Sequence, residues 1–77
     1  MSKLFNLPQG EYLLYKDGVL FGGIYDDRFL IKKTNYSSSL NLKEETPYNG
    51  AIPMYLIDTE DSNIIKDIID NLVLELK

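Results

Sequence analysis

The chain has no cysteine, no histidine and no tryptophan among its 77 residues. Without cysteine it forms neither a disulfide framework nor a cysteine-ligated zinc site. Without histidine it lacks the side chain that most often acts as a general base near neutral pH. No other residue pattern suggests a catalytic, cofactor-binding or metal-binding set. We therefore expect a protein that is not an enzyme and that needs no cofactor.

Length and composition predict one small globular domain. Hydrophobic residues make up 44% of the chain, which is typical of folded rather than disordered proteins. A chain this short buries only about 60% of its unfolded surface, so one core is marginal and self-association is expected. No apolar run approaches the roughly 18 residues of a membrane span. Residues 1–5 are too polar for the apolar region of a signal peptide, so we expect a cytoplasmic protein.

Basic residues are few and charge is uneven. The net charge is −4 and the isoelectric point is about 4.5. Residues 1–33 carry five basic and four acidic side chains, whereas residues 34–77 carry three and eight. Only Arg28, Lys32 and Lys33 cluster, and an acidic domain repels a phosphate backbone unless a larger basic patch overrides its charge. Direct nucleic-acid binding is therefore disfavoured.

The first half of the chain has the pattern of a three-stranded antiparallel meander. Short runs rich in apolar and aromatic residues cover 11–15, 19–25 and 28–33. Asp17-Gly18 separates the first two runs, and this dipeptide suits the positive φ angles of a type I′ hairpin turn. Asp26-Asp27 predicts a second turn before the third strand.

The register of this meander decides which side chains share a face. A two-residue turn after Lys16 pairs Leu14 with Phe21. A slip of one residue would exchange the two faces, because successive side chains point to opposite sides. The face predicted to pack against a helix consists of Leu13, Tyr15, Leu20, Ile24, Phe29 and Ile31. The opposite face consists of Tyr12, Leu14, Val19, Phe21, Tyr25 and Leu30, accompanied by Lys16, Arg28 and Lys32.

Two adjacent glycines, Gly22 and Gly23, stand within the second predicted strand. We interpret them as sites of close approach, with Gly22 beneath the helix and Gly23 beneath the ring of Tyr12. The alternative is a phosphate-binding loop. Such a loop joins a strand to a helix, whereas here Ile24 and Tyr25 continue the strand, so the structural interpretation is favoured.

The second half mixes a polar middle with a strand and a helix. Residues 34–46 predict either a short helix capped by Thr34 or Asn35, or a loop. Residues 47–50 predict a turn. A strand follows at 52–57, and Pro53 predicts that it is an edge strand or that the proline marks its start.

The C-terminal segment predicts an amphipathic helix. Capping and acidic residues at 58–62 suit the start of a helix. Apolar residues then recur at helical spacing in one wide stripe, and Leu74 lies off it. The stripe consists of Ile64, Ile65, Ile68, Ile69, Leu72, Val73 and Leu76.

Other polar clusters have weaker functional interpretations. Three aspartates at the turns suggest a cation site, but the meander would place Asp17 far from Asp26 and Asp27. The serines at 37–39 suggest a nucleophile, but nothing with a fixed spacing would activate them. Tyrosine and phenylalanine could stack on single-stranded bases, yet that groove would need positive charge. We therefore assign no site to these residues.

Two long motifs occur in the same order, and at compatible spacing, as in a known family. The first is Gly10-Glu11-Tyr12-Leu13-Leu14-Tyr15, Asp17-Gly18 and Phe21-Gly22-Gly23-Ile24-Tyr25-Asp26-Asp27-Arg28-Phe29-Leu30-Ile31-Lys32. The second is Pro47-Tyr48-Asn49-Gly50-Ala51-Ile52-Pro53-Met54. Together they resemble the N-terminal domain of the TfoX/Sxy competence regulators over roughly residues 8–77.

This resemblance implies an α+β, two-layer fold. It consists of an antiparallel sheet, with the meander and a later edge strand, and a C-terminal amphipathic helix on one face. It implies one domain over residues 1–77, without most of the leading helix usual in the family, since Pro8 confines any helix to Ser2–Leu7. On this resemblance, we also expect the chain to lack the separate C-terminal domain of the two-domain regulators.

The resemblance also implies a function. Family members control competence genes and are thought to act with the cyclic-AMP receptor protein at promoters, without catalytic residues or a cofactor. We therefore predict a non-enzymatic protein-interaction module, with a transcription regulator as partner and a homodimer as its assembly. The alternative is a small ligand-binding protein or enzyme. The predicted interaction surface consists of Tyr12, Leu14, Val19, Phe21, Tyr25, Arg28 and Lys32.

Overall fold

The computed structural model describes residues 2–7 and 11–77, the first of these ranges by its backbone. Six strands and two helices are present there. The strands are β1 (Ser2–Leu7), β2 (Glu11–Lys16), β3 (Val19–Tyr25), β4 (Arg28–Ile31), β5 (Glu44–Glu45) and β6 (Met54–Ile57). The helices are α1 (Asn35–Ser38) and α2 (Ser62–Leu76). Pro8 and Gly10, which entered the sequence argument, lie outside the described residues.

The strands form one antiparallel sheet in the order β1-β2-β3-β4-β6-β5, and α2 packs on one of its faces. This arrangement confirms the α+β, two-layer fold and the β2-β3-β4 meander. Two strands were not predicted. Ser2–Leu7, the segment to which Pro8 would have confined a helix, is β1 and pairs with β2, and β5 is only two residues long.

Both turns of the meander have the predicted length. Asp17 has a φ of 51° and Gly18 a φ of 77°, and a type I′ turn requires positive φ at both central residues. Asp26 and Asp27 repeat this geometry at 51° and 64° without a glycine. Aspartate tolerates the left-handed region better than most residues, which explains why this turn closes with two of them.

A β-bulge corrects the predicted register between β2 and β3. Tyr15 pairs with Leu20 as predicted, but Leu14 pairs with Gly22, and the predicted pairing of Leu14 with Phe21 is wrong. Phe21 is the extra residue of the bulge. An extra residue in one strand shifts every later pair by one, so the side chains beyond the bulge exchange faces relative to the prediction.

The bulge also reverses the face that meets the helix. Phe21 is 1% exposed and belongs to the core with residues of α2, and Leu14 and Val19 pack against that core. The prediction that these three belong to the face away from the helix is therefore wrong. Phe29 and Ile31 pack on the helix side as predicted, because the β3–β4 register is the expected one.

The face opposite α2 carries the side chains that alternate with this core. Leu13 and Leu20, which were expected beneath the helix, lie on this opposite face. Tyr25 and Leu30 lie outside the helix-facing core, as their predicted place on the opposite face requires, and both are buried.

The two glycines of β3 allow close approach, but their neighbours differ from the predicted ones. A Cβ on Gly22 would lie 2.3 Å from the carbonyl oxygen of Leu30, so Gly22 makes room for β4 rather than for the helix. A Cβ on Gly23 would lie 2.6 Å from the carbonyl oxygen of Tyr12 and 2.8 Å from the ring of Tyr25. Gly23 therefore accommodates the ring of Tyr25, not that of Tyr12.

The polar middle contains the short helix rather than only a loop. Thr34 is its N-cap, and its Oγ1 accepts a hydrogen bond from the amide of Ser37 at 3.1 Å. In return the Oγ of Ser37 accepts one from the amide of Thr34 at 2.7 Å, which completes a capping box. Pro53 directly precedes β6, and β6 lies between β4 and β5. The proline therefore marks the start of an inner strand, and the prediction of an edge strand is wrong.

The C-terminal helix has the predicted start and apolar stripe. Asp61 is the N-cap, and its carboxylate accepts hydrogen bonds from the amides of Asn63 and Ile64. Ile68, Leu72 and Val73 are buried in the core, with Ile65, Ile69 and Leu76 packed around them. Leu74 is exposed as predicted, but Ile64, which was predicted to belong to the stripe, is also exposed. Lys16 of β2 pairs with Asp70, which ties the helix to the sheet and lowers the pKa of that carboxyl.

Candidate interaction surface

An apolar groove lies on the sheet face opposite α2. Its volume is about 320 Å³. The hairpin β2-β3 supplies one wall, and the segment that leads into β6 supplies the other. We define the groove by its nine lining residues, Leu13, Leu20, Gly22, Tyr25, Lys32, Lys33, Ile52, Pro53 and Met54. It differs from the predicted surface, with which it shares Tyr25 and Lys32.

Arg28 holds the segment that precedes the second wall. Its Nη1 donates a hydrogen bond to Oε1 of Glu45 at 2.8 Å and another to the carbonyl of Thr46 at 3.1 Å. Its Nη2 donates to the carbonyl of Pro47 at 3.0 Å, and its Nε donates to the carbonyl of Tyr25. The hydrogen bond from Arg28 lowers the pKa of the Glu45 carboxyl below its usual range. Arg28, predicted as part of an exposed surface, therefore has a structural role in positioning the groove.

Tyr25 forms part of the groove beside Gly23. Its side chain is largely buried, and burial raises the pKa of its phenol, with the nearby charge of Glu11 and the Tyr48 phenol adding to the effect. Because Gly23 has no side chain, the buried ring of Tyr25 lies directly against the backbone of β3. The groove thus has a preformed apolar wall at this point.

Ile52 is the most exposed large apolar side chain of the described residues, at 82%. It stands between Ala51 and Pro53 at the rim of the groove. A single exposed isoleucine is ordinary on a protein surface, but one that continues an apolar groove enlarges a patch that a partner can cover. Sequence reasoning placed Ile52 in a strand and missed this role.

Two of the nine lining residues carry charge, and both are lysines. The ammonium of Lys33 pairs with Glu44 and lies 5.4 Å from the centre of the Tyr55 ring. Lys32 is half-buried, and no carboxylate of the described residues lies within ion-pair distance of its ammonium. The groove therefore contains little polarity of its own, and its net charge is positive.

The seven residues of the predicted surface do not form one patch. Leu14, Val19 and Phe21 belong to or pack against the core beneath α2. The other four residues lie elsewhere. Tyr12 is half-buried and pairs with Ile24, and Arg28 binds the segment at 45–47. Tyr25 and Lys32 line the groove. The bulge is the reason, because it moves the first three side chains to the helix side.

The serines at 37–39, considered above as candidate nucleophiles, take part in structural hydrogen bonds. The Oγ of Ser37 donates to the carbonyl of Lys32 at 2.8 Å as part of the cap of α1, and the Oγ of Ser38 lies 2.9 Å from the hydroxyl of Tyr55. Residues 2–7 and 11–77 contain no group of three or more acidic side chains placed to hold a metal ion. Neither described helix is long and apolar enough to cross a bilayer.

Comparisons with protein-family models, with curated proteins and with solved structures found no match for this chain. The resemblance to the TfoX/Sxy N-terminal domain therefore stays a prediction from the two sequence motifs. The same is true of the predicted homodimer.

Proposed function

We propose that this chain is a non-enzymatic protein-interaction module that acts in transcription regulation, and that the groove is its interaction surface. The regulatory part of this proposal comes from the resemblance to the N-terminal domain of the TfoX/Sxy competence regulators. The observation that supports an interaction module is the apolar groove opposite α2 with the exposed side chain of Ile52 at its rim.

The composition of the groove favours a macromolecular partner over a small polar substrate. A site that recognises a small molecule has several polar groups converging on an apolar pocket. Here the lining is apolar apart from two lysines, and the ammonium of Lys33 is already paired with Glu44. The volume of about 320 Å³ lies at the lower limit of small-molecule pockets and also suits one or two apolar side chains of a partner.

Affinity capture with matched variants tests this function. The immobilised wild-type chain and the variants Ile52→Glu and Leu74→Glu are each incubated with extract of the source cells, and captured proteins are identified by mass spectrometry. Leu74 is the control, because it is also exposed, at 68%, but lies on α2 away from the groove. Both sites are exposed, so both variants are expected to fold, which circular dichroism checks.

We expect the wild type and Leu74→Glu to capture the same transcription regulator and Ile52→Glu to lose it. The cyclic-AMP receptor protein is the first partner to examine, in a direct titration with the purified protein. If Ile52→Glu captures the same proteins as the wild type, the groove is not the interaction surface. If the shared partner has no connection with transcription, the regulatory part of the proposal is wrong.

A further inference from the structure

We propose that the groove takes a peptide segment of the partner in which one carboxylate is flanked by apolar residues. The carboxylate pairs with Lys32, and the flanking side chains lie against Leu13, Leu20 and Ile52. This inference rests on the proposed function and names the chemistry of the segment that the groove recognises.

The first argument is the environment of Lys32. Its amide donates a hydrogen bond to the carbonyl of Phe21 at 2.9 Å, which fixes the start of its side chain beside the groove. The residue is half-buried, and its ammonium has no ion-pair partner among the described carboxylates. An ammonium next to apolar surface is less well screened than one in open water, so an incoming carboxylate would stabilise it more strongly there.

The second argument is charge complementarity. The chain has a net charge of −4, yet both charged residues of the groove are lysines. Glu44 neutralises Lys33, which leaves Lys32 as the cation available to a ligand in this part of the surface. The acidic remainder of the chain repels an acidic segment, and the groove attracts it. Attraction within the groove and repulsion elsewhere on the chain direct an acidic segment to this one place.

The third argument excludes a phosphate backbone as the occupant. A nucleic acid is held by several cations spaced along its phosphates. One unpaired lysine in an apolar groove does not provide that spacing, but it matches a single carboxylate between apolar side chains. A peptide segment with one Asp or Glu between apolar residues supplies both the single carboxylate and the apolar side chains.

The test is selection from a random dodecapeptide library displayed on phage, with the purified full chain as target. We expect the wild type to select peptides that share an Asp or Glu beside apolar residues. We expect Lys32→Glu to select Lys or Arg at the corresponding position, because the charge of the site is reversed. Lys66→Glu is the matched control, since Lys66 is exposed on α2, and it should select the same peptides as the wild type.

The affinity of one selected peptide is then measured by fluorescence anisotropy. Lys32→Glu should weaken binding on the order of tenfold or more, and Lys32→Arg should stay close to the wild type, because it retains the positive charge. Ile52→Ala should also weaken binding, and because it leaves the charge of the groove unchanged, it tests the apolar contact separately from the ionic one. Circular dichroism establishes that each variant is folded.

Three results would overturn this inference. The selected peptides could lack a shared carboxylate, or Lys32→Glu could still select acidic peptides. Alternatively, sedimentation of the wild type could show a dimer that Ile52→Glu dissociates, in which case a second copy occupies the groove. The proposed function would survive the first two results if Ile52→Glu still abolished capture of the partner from extract, so the two proposals fail separately.

Discussion

Arg28 of β4 donates a hydrogen bond through Nη1 to Oε1 of Glu45 on β5, at 2.8 Å. The two residues are 17 positions apart in the chain, and β6 lies between their strands in the sheet. The same guanidinium donates to the carbonyls of Thr46 and Pro47. One planar side chain with several fixed donors therefore anchors the segment that continues into the groove wall.

Replacing Arg28 by alanine should destabilise the fold and loosen this segment. The variant loses hydrogen bonds to three backbone carbonyls, and at partly exposed sites we expect a loss of about 1–2 kcal/mol in the free energy of unfolding. Urea denaturation measures this loss. Hydrogen exchange at the amide of Ala51, which is bonded to the carbonyl of Tyr48, should become faster.

Lys43→Ala is the control for this prediction. Lys43 also pairs with Glu45, but at 3.6 Å and with a largely exposed side chain, so its removal should change stability by less than about 0.5 kcal/mol. If Arg28→Ala and Lys43→Ala have equal effects, the backbone hydrogen bonds of Arg28 are unimportant.

Acid should remove the contribution of Glu45 to stability. The hydrogen bond from Arg28 lowers the pKa of this carboxyl in the folded state below its ordinary value of 4.5. The stabilisation is therefore present above that ordinary value and is lost as the pH falls through the lowered pKa of the folded state. Since Glu45 is only partly buried, the effect should be small and should weaken in high salt.

Glu45→Gln tests this pH dependence. The difference in unfolding free energy between the wild type and Glu45→Gln should shrink as the pH is lowered from about 7 to about 3. Glu60→Gln is the matched control, because Glu60 forms no ion pair within the described residues. If the difference in unfolding free energy between the wild type and Glu45→Gln stays constant over this pH range, the lowered pKa of Glu45 does not contribute to stability as we expect.

Gly22→Ala should be one of the most damaging single substitutions in the sheet. Its new Cβ would lie 2.3 Å from a backbone oxygen of Leu30, and backbone cannot move aside as a flexible side chain can. We expect a loss of about 3 kcal/mol or more, measured by thermal or urea unfolding. Gly50→Ala is the comparison, since open space surrounds it and only its φ of 87° is unfavourable, which costs about 1–2 kcal/mol. Equal losses would show that β3 and β4 separate easily.

Leu72→Ala should cost about 2–5 kcal/mol, the range for a fully buried leucine. Leu72 is 0% exposed and lies in the core between α2 and the sheet. Leu74→Ala, two residues further along the same helix, removes an exposed side chain and should change the free energy of unfolding by less than about 0.5 kcal/mol. Chemical denaturation of both variants shows whether α2 is integral to the fold or peripheral to it.

Asp27→Gly should stabilise the second hairpin by up to about 1 kcal/mol, because glycine adopts a φ of 64° without the steric cost that a Cβ imposes. The greater flexibility of glycine in the unfolded chain offsets part of this gain. The urea midpoint of unfolding should rise. Asp58→Gly, at a residue that does not have positive φ, should bring no gain.

The local signals in the sequence predicted most of the elements. Turn residues at Asp17-Gly18 and Asp26-Asp27 delimit the meander, and the spacing of Ile68 and Leu72 identifies α2. These signals depend on residues close together in the chain, so the sequence alone reveals the turn residues and the helical spacing. The strands β1 and β5 lacked such signals, because residues 2–7 do not alternate polar and apolar side chains and β5 has only two residues.

The groove could not be predicted in the same way. It depends on the bulge at Phe21, which decides the face on which Leu13 and Leu20 lie, and on Arg28, which holds a distant segment at Thr46 and Pro47. Sequence reasoning identified Tyr25 and Lys32 as surface residues of interest but combined them with side chains that turned out to be in the core.

The sequence by itself determined the antiparallel meander, its two turns, the capped C-terminal helix and the α+β class, because each depends on short-range spacing and turn chemistry. Only the tertiary structure decided which face of the sheet meets the helix and where the apolar groove lies. The physical reason is the period of two in a strand, in which one extra residue at Phe21 exchanges the faces. The position of the extra residue depends on how β3 pairs with both β2 and β4. Directly beside it, Gly22 lies close to the backbone of Leu30.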